Sequence, residues 1–389
     1  MYVRDDEGLR SLVGMMRGAD VLAVDTEFMR ERTYFARLCL IQVATDDVAA
    51  IVDPFVVKDL EPLFELFRDP GITKVFHAGS QDLEILVRMM GEAPAPIFDT
   101  QVAATLAGLP SQVGYQALIK SLVGVELGKA HTFTDWARRP LSEDQIRYAL
   151  DDVVYMPKAY RVLHEQLSAA GRLAWLAEDF ERMADPATYE VRPEEQYRRV
   201  KRASSLDRRS LAVLREAAAW REREAQQRDV PKRWLVSDES LVELARRAPL
   251  TPEALAGVRG LNEQVARRSG EDIIEGVRRG KSVPDDELPR FEKRRRLEGE
   301  LDELADAMSA IVRVRAKQHG VAPTLFATRD DLERFAGGER EVSPLSSGWR
   351  HALVGADLEA LLDGRIGLSV RDGRVVLGEP GKPLEAEDH

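Results

Sequence analysis

The hydrophobic pattern separates an N-terminal part that mixes strands and helices from a helical C-terminal part. The run Val21–Val24 is short, apolar and partly β-branched, which predicts a buried strand. Apolar runs at 34–45 and 48–52 predict two more strands, with a turn at Asp46 and Asp47. The chain is therefore expected to open with a three-stranded antiparallel meander.

Strand and helix signals continue after the meander. A strand is predicted at Lys74–His77, and Ser80 is placed to cap the helix that follows it. Ser142 and Gln145 have the spacing of a capping box and predict the start of another helix. Pro157 is expected to kink or interrupt that helix, because its ring removes a backbone donor.

Domain limits follow from where these patterns change. Residues 1–185 are predicted to form one α/β domain, and 186–205 a basic linker. Two helical units are predicted at 206–284 and 289–378, and the tail at 379–389 is expected to be disordered. A weak internal repeat between the two helical units favours duplicated small bundles over one large bundle.

Composition narrows the class of protein. The 389 residues are 44% hydrophobic and 32% charged, which is typical of globular proteins, and no run approaches eighteen apolar residues. The acidic N-terminus lacks the apolar core of a signal peptide. The single cysteine, Cys39, excludes an internal disulfide. A cytoplasmic protein without a membrane segment or a disulfide-linked partner is expected, with a monomer preferred.

The net charge of −11 argues against a general polycation, but the basic residues are unevenly placed. Residues 197–210 contain six basic side chains and one acid, and Lys293–Arg296 is a second basic cluster. Each segment is a candidate for facing phosphates. A solvated helix face or linker explains each one equally well.

Two acids stand at the end of the first predicted strand. Asp25 and Glu27 are two residues apart, so their side chains point to the same face. A pair of carboxylates projecting from a sheet is suited to a divalent metal. On this fragment alone, an exit of the strand into a solvated loop explains both acids as well.

Further acidic positions lie downstream. Asp82 is predicted in the first turn of a helix, where the helix dipole alone would favour an acid. Tyr148 and Asp152 are four residues apart on a later helix and share one face. Asp151 is adjacent and equally acidic, so spacing alone does not choose between the two aspartates.

Together these segments resemble the three motifs of the DEDD 3′→5′ exonucleases. The matching stretches are Asp25–Glu27, His77–Asp82 and Tyr148–Asp152. A tyrosine four residues before the last aspartate matches the tyrosine-bearing branch and selects Asp152 as the fourth acid. Three more segments resemble the ribonuclease D family in particular: Leu40–Val43, Thr134–Leu141 and Tyr155–Pro157. Both helical units resemble the helicase-and-RNase-D C-terminal (HRDC) domain, the second less closely.

The resemblance implies an RNase H-like α/β catalytic domain followed by two small all-α HRDC-type bundles. It implies that Asp25, Glu27, Asp82 and Asp152 hold two divalent cations, Mg²⁺ or Mn²⁺, with Tyr148 orienting the attacking water. An all-oxygen ligand set is consistent with these ions and disfavours zinc. Four converging carboxylates would repel one another strongly without such a counter-charge.

The expected function is hydrolysis at RNA 3′ ends, releasing nucleoside 5′-monophosphates, with tRNA precursors as the substrates that the resemblance implies. The same fold acting on DNA 3′ ends is the nearest alternative, because the motifs do not separate ribose from deoxyribose. A nucleic-acid-binding protein without catalysis is a third. Residues that are candidates for substrate binding, with packing as the other explanation, are Phe28, His77, Gln81, Lys129, Trp136, Arg198, Arg199, Lys201 and Arg202.

Overall fold

A computed structural model describes residues 1–110, 112–128, 134–291, 299–340 and 343–380. The strands are β1 (Tyr2–Val3), β2 (Val21–Met29), β3 (Arg37–Ala44), β4 (Ala49–Val52), β5 (Thr73–Phe76), β6 (Ile97–Asp99), β7 (Gly367–Arg371) and β8 (Arg374–Gly378). The helices of the N-terminal unit are α1 (Asp6–Met16), α2 (Glu61–Arg68), α3 (Ser80–Met90), α4 (Thr100–Leu106), α5 (Tyr115–Val123), α6 (Glu143–Val154), α7 (Met156–Ala169) and α8 (Ala177–Ala184).

The helices beyond the N-terminal unit fall into two groups. The first unit contains α9 (Arg208–Arg228), α10 (Lys232–Leu235), α11 (Asp238–Arg247), α12 (Pro252–Ala256) and α13 (Glu263–Ser282). The second unit contains α14 (Gly299–His319), α15 (Arg329–Ala336), α16 (Gly348–Arg350), a π-helical turn (His351–Gly355) and α17 (Ala356–Leu362). None of the helices within the described residues is long and apolar enough to cross a bilayer.

Strands β1 to β6 form a mixed sheet in the order β1-β4-β3-β2-β5-β6. The predicted meander is confirmed, because β2, β3 and β4 pair antiparallel in sequence order. Strands β5 and β6 add in parallel on the other side of β2, and the short β1 pairs in parallel with β4. This arrangement confirms the RNase H-like fold, in which β2 lies at the centre of the sheet.

The two faces of the sheet bury different layers of helices. Side chains alternate along β2, so Leu22 and Val24 face a core with α1, α2 and α3. Val21 and Ala23 face a core shared with α6 and α7. Asp25 and Glu27 follow Val21 and Ala23 at alternate positions of β2, so their side chains project on the side covered by α6.

Several predicted boundaries hold and two move. The capping box at Ser142 is confirmed, and the predicted helix break occurs at Tyr155, where α6 ends and α7 begins with Pro157 in its first turn. The first predicted strand is longer than expected: β2 includes Asp25 and Glu27 and continues to Met29, with a bulge between Glu27 and Phe28. The predicted cap at Ser80 is wrong, because α3 begins at Ser80 and has no side-chain cap.

The predicted linker at 186–205 is largely part of the first helical unit. Short 3₁₀ turns occur at Pro186–Tyr189, Pro193–Arg199 and Ala203–Ser205. Within this stretch Tyr197, Val200 and Ala203 are buried in the same core as α9, α11 and α13. Because the segment contributes three buried side chains to this core, its packing supports counting it with the first helical unit.

The second unit shares its hydrophobic core with the N-terminal unit. Helices α14, α15 and α17 bury residues in one continuous cluster with α7 and the turn that follows it. Trp349 stacks on Trp175, with ring centroids 4.8 Å apart and planes 8° apart. Arg172 donates to the carbonyl of Leu106 at 2.7 Å and to that of His319. This unit is therefore held against the N-terminal unit by packing as well as by the chain.

The second unit also ends in an antiparallel hairpin, β7–β8, which the sequence analysis did not predict. The basic cluster Lys293–Arg296 and residues 381–389 of the predicted tail lie outside the described residues.

An ion pair holds the segment before α6 against the sheet. The carboxylate of Asp53, whose side chain is 2% exposed, accepts from Arg139 at 2.5 and 2.9 Å and from the Tyr2 hydroxyl at 2.6 Å. Arg139 also donates to the carbonyls of Trp136 and Cys39. Because α6 follows directly, this pair fixes where that helix begins.

We expect Arg139→Ala to lower the free energy of unfolding by about 3 kcal/mol, because it leaves the buried Asp53 carboxylate without its cation. Chemical denaturation followed by circular dichroism measures the change. Arg138→Ala is the matched control, since that neighbouring side chain is exposed. Equal stability of the two variants would show that the pair does not hold the segment.

Candidate active site

Three carboxylates meet at the centre of the sheet. Asp25 and Glu27 project from β2, and Asp152 projects from α6, which packs on the same face. One oxygen from each carboxylate lies within 4.8 Å of the others. The spacing of two along the strand and the packing of α6 are together sufficient to bring these acids into one group.

Asp82 lies next to this group on the first turn of α3. Its side chain is 8% exposed and accepts a short hydrogen bond from the Thr26 hydroxyl, which stands between the two acids of β2. The loop before α3 is fixed by Asp99, which accepts from the backbone N–H of Gly79 at 2.8 Å. A Cβ at Gly79 would lie 2.5 Å from the Cβ of Phe76, so this close turn requires glycine.

Burial and mutual repulsion both disfavour the charged forms of these acids. The pKa of Asp25 is raised well above its ordinary value by burial and by the carboxylates of Asp82, Asp152 and Glu27. Burial, with repulsion from Asp152 and Asp82, raises the pKa of Glu27 to about 8. Burial also raises the pKa of Asp152 to about 7 and that of Asp82 to about 6.

These features suit a divalent-metal site. Asp82 is buried and the other three acids are half-buried. Within the described residues no cationic side chain forms a salt bridge with them, and a divalent cation would supply the counter-charge. The side chains of the cluster offer oxygen ligands only, which Mg²⁺ and Mn²⁺ accept readily. The residues present therefore fit divalent metal ions.

Tyr148 is positioned by Asp152 and by an aromatic neighbour. Its hydroxyl is hydrogen-bonded to the Asp152 carboxylate, and burial together with the nearby acids raises its pKa. The ring of Trp136 lies 6.1 Å from that of Tyr148, measured between centroids. Trp136 is only 5% exposed and packs with Leu141 and Ala149. This burial favours the packing alternative for Trp136, and its predicted part in substrate binding stays a prediction.

A cleft of about 1500 Å³ lies between the N-terminal unit and the first helical unit. Of the predicted substrate-binding residues, Gln81, Arg199 and Lys201 line it. Gln81 directly precedes Asp82 in the sequence, but none of the four acids is part of the cleft wall. The basic residues Arg199 and Lys201 face it from the segment that had been predicted as a linker.

The other candidates lie elsewhere. Phe28, Arg198 and Arg202 are not part of the cleft wall. His77 is half-buried, and its Nδ1 lies 2.9 Å from the hydroxyl of Thr100. Lys129 lies outside the described residues. Three of the candidates within the described residues therefore line the cleft, and a role in substrate binding stays a prediction for each of them.

Two residues at the site escaped the sequence analysis. The first is Thr26, whose hydroxyl donates a hydrogen bond to Asp82. Its position between the two acids of the first motif was visible in the sequence, but this contact was not. Tyr115 donates to the backbone carbonyl of Asp151 at 3.2 Å, and burial and the nearby charges of Asp152 and Asp25 raise its pKa. No spacing rule connects Tyr115 to the motifs, because only the folded chain brings α5 beside α6.

Two family models match the chain. The 3′-5′ exonuclease model matches residues 1–168, which include all four acids and Tyr148. The HRDC domain model matches residues 210–277, which lie within the first helical unit. These matches agree with the domain order seen in the fold.

Curated relatives and a solved structure extend the match to nearly the whole chain. The chain is 43% identical to ribonuclease D of Gluconacetobacter diazotrophicus over 377 residues, covering 96% of each protein. It is 42% identical to ribonuclease D of Acidiphilium cryptum, with the same coverage. The crystal structure of Escherichia coli RNase D, an exoribonuclease involved in structured RNA processing, superposes with a TM-score of 0.81 at 32% identity, covering 93% of this chain and 98% of that one. The chain therefore belongs to the ribonuclease D family of 3′→5′ exoribonucleases.

Proposed function

We propose that this enzyme releases nucleoside 5′-monophosphates one at a time from RNA 3′ ends, using two divalent cations, Mg²⁺ or Mn²⁺. The observation that carries the proposal is the group formed by Asp25, Glu27 and Asp152, whose oxygens lie within 4.8 Å of one another. When bound, such cations neutralise phosphate charge and favour attack by water on the phosphodiester.

The four acids have distinct places in this proposal. Asp25, Glu27 and Asp152 would hold one cation, with Asp25 shared with the second. Asp82 would serve the second cation, because it stands beside the group and is oriented by the Thr26 hydroxyl. In this proposal two strand carboxylates and two helix carboxylates would surround the phosphate that is cleaved.

Tyr148 would orient the attacking water and would not remove its proton. Burial raises the pKa of its phenol above the ordinary value, so the hydroxyl stays protonated at neutral pH. Its hydrogen bond to Asp152 fixes the direction of the hydroxyl. A protonated, fixed phenol can donate to or accept from a water, which is a positioning role.

The RNA strand leading to the site would lie in the cleft against the first helical unit. Arg199 and Lys201 are exposed on its wall, and Gln81, the residue before Asp82 in the sequence, lies on the opposite wall. Cationic side chains along a groove track a phosphate backbone independently of sequence. The second helical unit is assigned a supporting role, since its buried face packs on the catalytic domain.

We expect Arg199→Ala together with Lys201→Ala to weaken binding of single-stranded RNA and to reduce the slope of log affinity against log salt by about 1.4, which corresponds to two lost phosphate contacts. Fluorescence anisotropy at several salt concentrations measures both quantities. Arg198→Ala with Arg202→Ala is the matched control, because these exposed neighbours lie off the cleft. An equal loss in both pairs would place the RNA elsewhere.

Several finer assignments belong to the same proposal. The substrates would be tRNA precursors, and the enzyme would act as a cytoplasmic monomer. The catalytic domain would span 1–185, with helical domains at 206–284 and 289–378. The packing of Tyr197 and Val200 supports moving the start of the first helical domain forward to about Pro193.

One experiment tests direction, metal and substrate together. RNA labelled at its 5′ or 3′ end is incubated with Mg²⁺, Mn²⁺ or EDTA, and matched DNA is run beside it. We expect a ladder that shortens the 5′-labelled RNA, immediate release of labelled mononucleotide from the 3′-labelled RNA, and no product in EDTA. Internal fragments, or DNA degraded as fast as RNA, would contradict the proposal.

A further inference from the structure

One polar side chain in the core of the sheet has no hydrogen-bond partner. Gln42 lies on β3 and is fully buried. Both its amide nitrogen and its amide oxygen are unpaired among the described residues. An apolar residue of similar size would avoid this unfavourable burial, since unpaired polar groups destabilise a core. The position therefore requires an explanation other than packing.

The ladder between β2 and β3 places Gln42 opposite Asp25. Residues directly opposite in an antiparallel pair point to the same face, with Cβ atoms about 4.5–5.5 Å apart. Leu40 and Ala44, which flank Gln42 on that face, belong to apolar clusters that include residues of α6. The acids are thus the natural polar neighbours of this amide.

Asp25 lacks the kind of donor that its neighbours have. Asp82 accepts from the Thr26 hydroxyl, and Asp152 is hydrogen-bonded to Tyr148. Asp25 receives a backbone hydrogen bond from Thr26, but no side-chain donor reaches it from the described part of the chain. An amide without an acceptor therefore stands opposite a carboxylate without a side-chain donor.

We propose that Gln42 is a positioning residue whose amide NH₂ donates to the Asp25 carboxylate in the metal-loaded enzyme. The inference rests on the proposed role of Asp25 as a metal ligand. A donor to one carboxylate oxygen fixes the orientation of the group and directs its other lone pairs toward the cation. A neutral amide does this without adding charge to a group that already contains four acids.

The test compares Gln42→Met with Ile41→Met. Methionine has nearly the size of glutamine but no donor, and Ile41 is the adjacent residue whose side chain faces the opposite core. We expect Gln42→Met to bind Mn²⁺ about tenfold more weakly by calorimetry and to lower kcat with little change in KM for RNA. In EDTA its denaturation midpoint should equal or exceed that of the parent, because the unpaired amide is gone. Ile41→Met should bind Mn²⁺ as the parent does.

Parent-like Mn²⁺ affinity and kcat in Gln42→Met, with raised stability, would overturn the inference and leave the amide as an unpaired core group. If that variant does not fold, Gln42→Leu is measured instead, and parent-like affinity there overturns the inference equally, because leucine also has no donor for Asp25. A parent that neither binds Mn²⁺ nor shortens RNA would refute the proposed function itself. An active parent with an unaffected variant would refute only the role of Gln42.

Discussion

Asp25→Asn is expected to reduce 3′ trimming by on the order of a thousandfold, because several kcal/mol of metal-dependent stabilisation of the transition state are lost. Asp25 belongs to the group of three carboxylates and is the acid whose pKa is raised by all of its neighbours. Replacing its charged form by a neutral amide removes a ligand without changing the size of the side chain. Single-turnover trimming of a 3′-tailed RNA with saturating Mn²⁺ measures the loss.

The same substitution should stabilise the metal-free protein. Asp25 is buried among acids that repel it, so the neutral amide relieves an unfavourable interaction, as is common for residues kept for function. We expect a higher denaturation midpoint in EDTA than that of the parent, and RNA affinity close to that of the parent. A variant that is inactive, more stable and still able to bind RNA has lost catalysis but has kept its fold and its RNA-binding surface.

Glu31→Gln is the control for this prediction. Glu31 follows β2 but is exposed and lies outside the acidic group, so the same type of substitution there should leave trimming unchanged. If Asp25→Asn trims as fast as Glu31→Gln, the acid is not a ligand, and the assignment of the site fails with it.

The centre of the fold could be predicted because its signals are local. The alternation of apolar residues defines β2, β3 and β4, and the capping box at Ser142 defines the start of α6. Once these elements are known, the two acids of β2 and the face of α6 that carries Tyr148 and Asp152 follow from backbone periodicity. The chemistry lies on regular elements, which is why short motifs could identify it.

What could not be predicted depends on contacts between distant segments. The hydrogen bond from Thr26 to Asp82 joins residues 56 positions apart. The packing of Tyr197 on the first helical unit is hidden by the basic residues around it, which have the composition of a linker. The hairpin β7–β8 differs, since Asp372 and Gly373 between alternating apolar residues form a recognisable turn signal. A purely helical interpretation of the second unit misses that signal.

The two helical units occupy different places in the molecule, although their sequences suggested a repeat. The first touches the catalytic domain through the loop after β2, where the Tyr34 hydroxyl donates to the buried Glu222 and accepts from Gln226 at 3.0 Å. The second merges with the catalytic core through Trp349. The cleft opens beside the first unit, whose contact with the catalytic domain is polar.

Asp152→Asn and Asp151→Asn provide the sharpest test of the fourth acid, because the two aspartates are adjacent and chemically identical. Asp152 shares the face of α6 with Tyr148 and belongs to the group of three carboxylates, whereas the side chain of Asp151 does not. We expect Asp152→Asn to reduce trimming by on the order of a thousandfold, through the loss of a charged ligand and a weaker hydrogen bond from Tyr148.

Asp151→Asn should retain trimming within about threefold, since a substitution outside the metal group removes no interaction made in the transition state. The backbone carbonyl of Asp151 accepts from Tyr115, and this contact does not depend on the side chain. Mn²⁺ calorimetry should follow the same order, with weakened binding in Asp152→Asn only. Equal losses of trimming and Mn²⁺ affinity in both variants would mean that α6 presents a different face to the site, and the role of Tyr148 would then have to be reassigned as well.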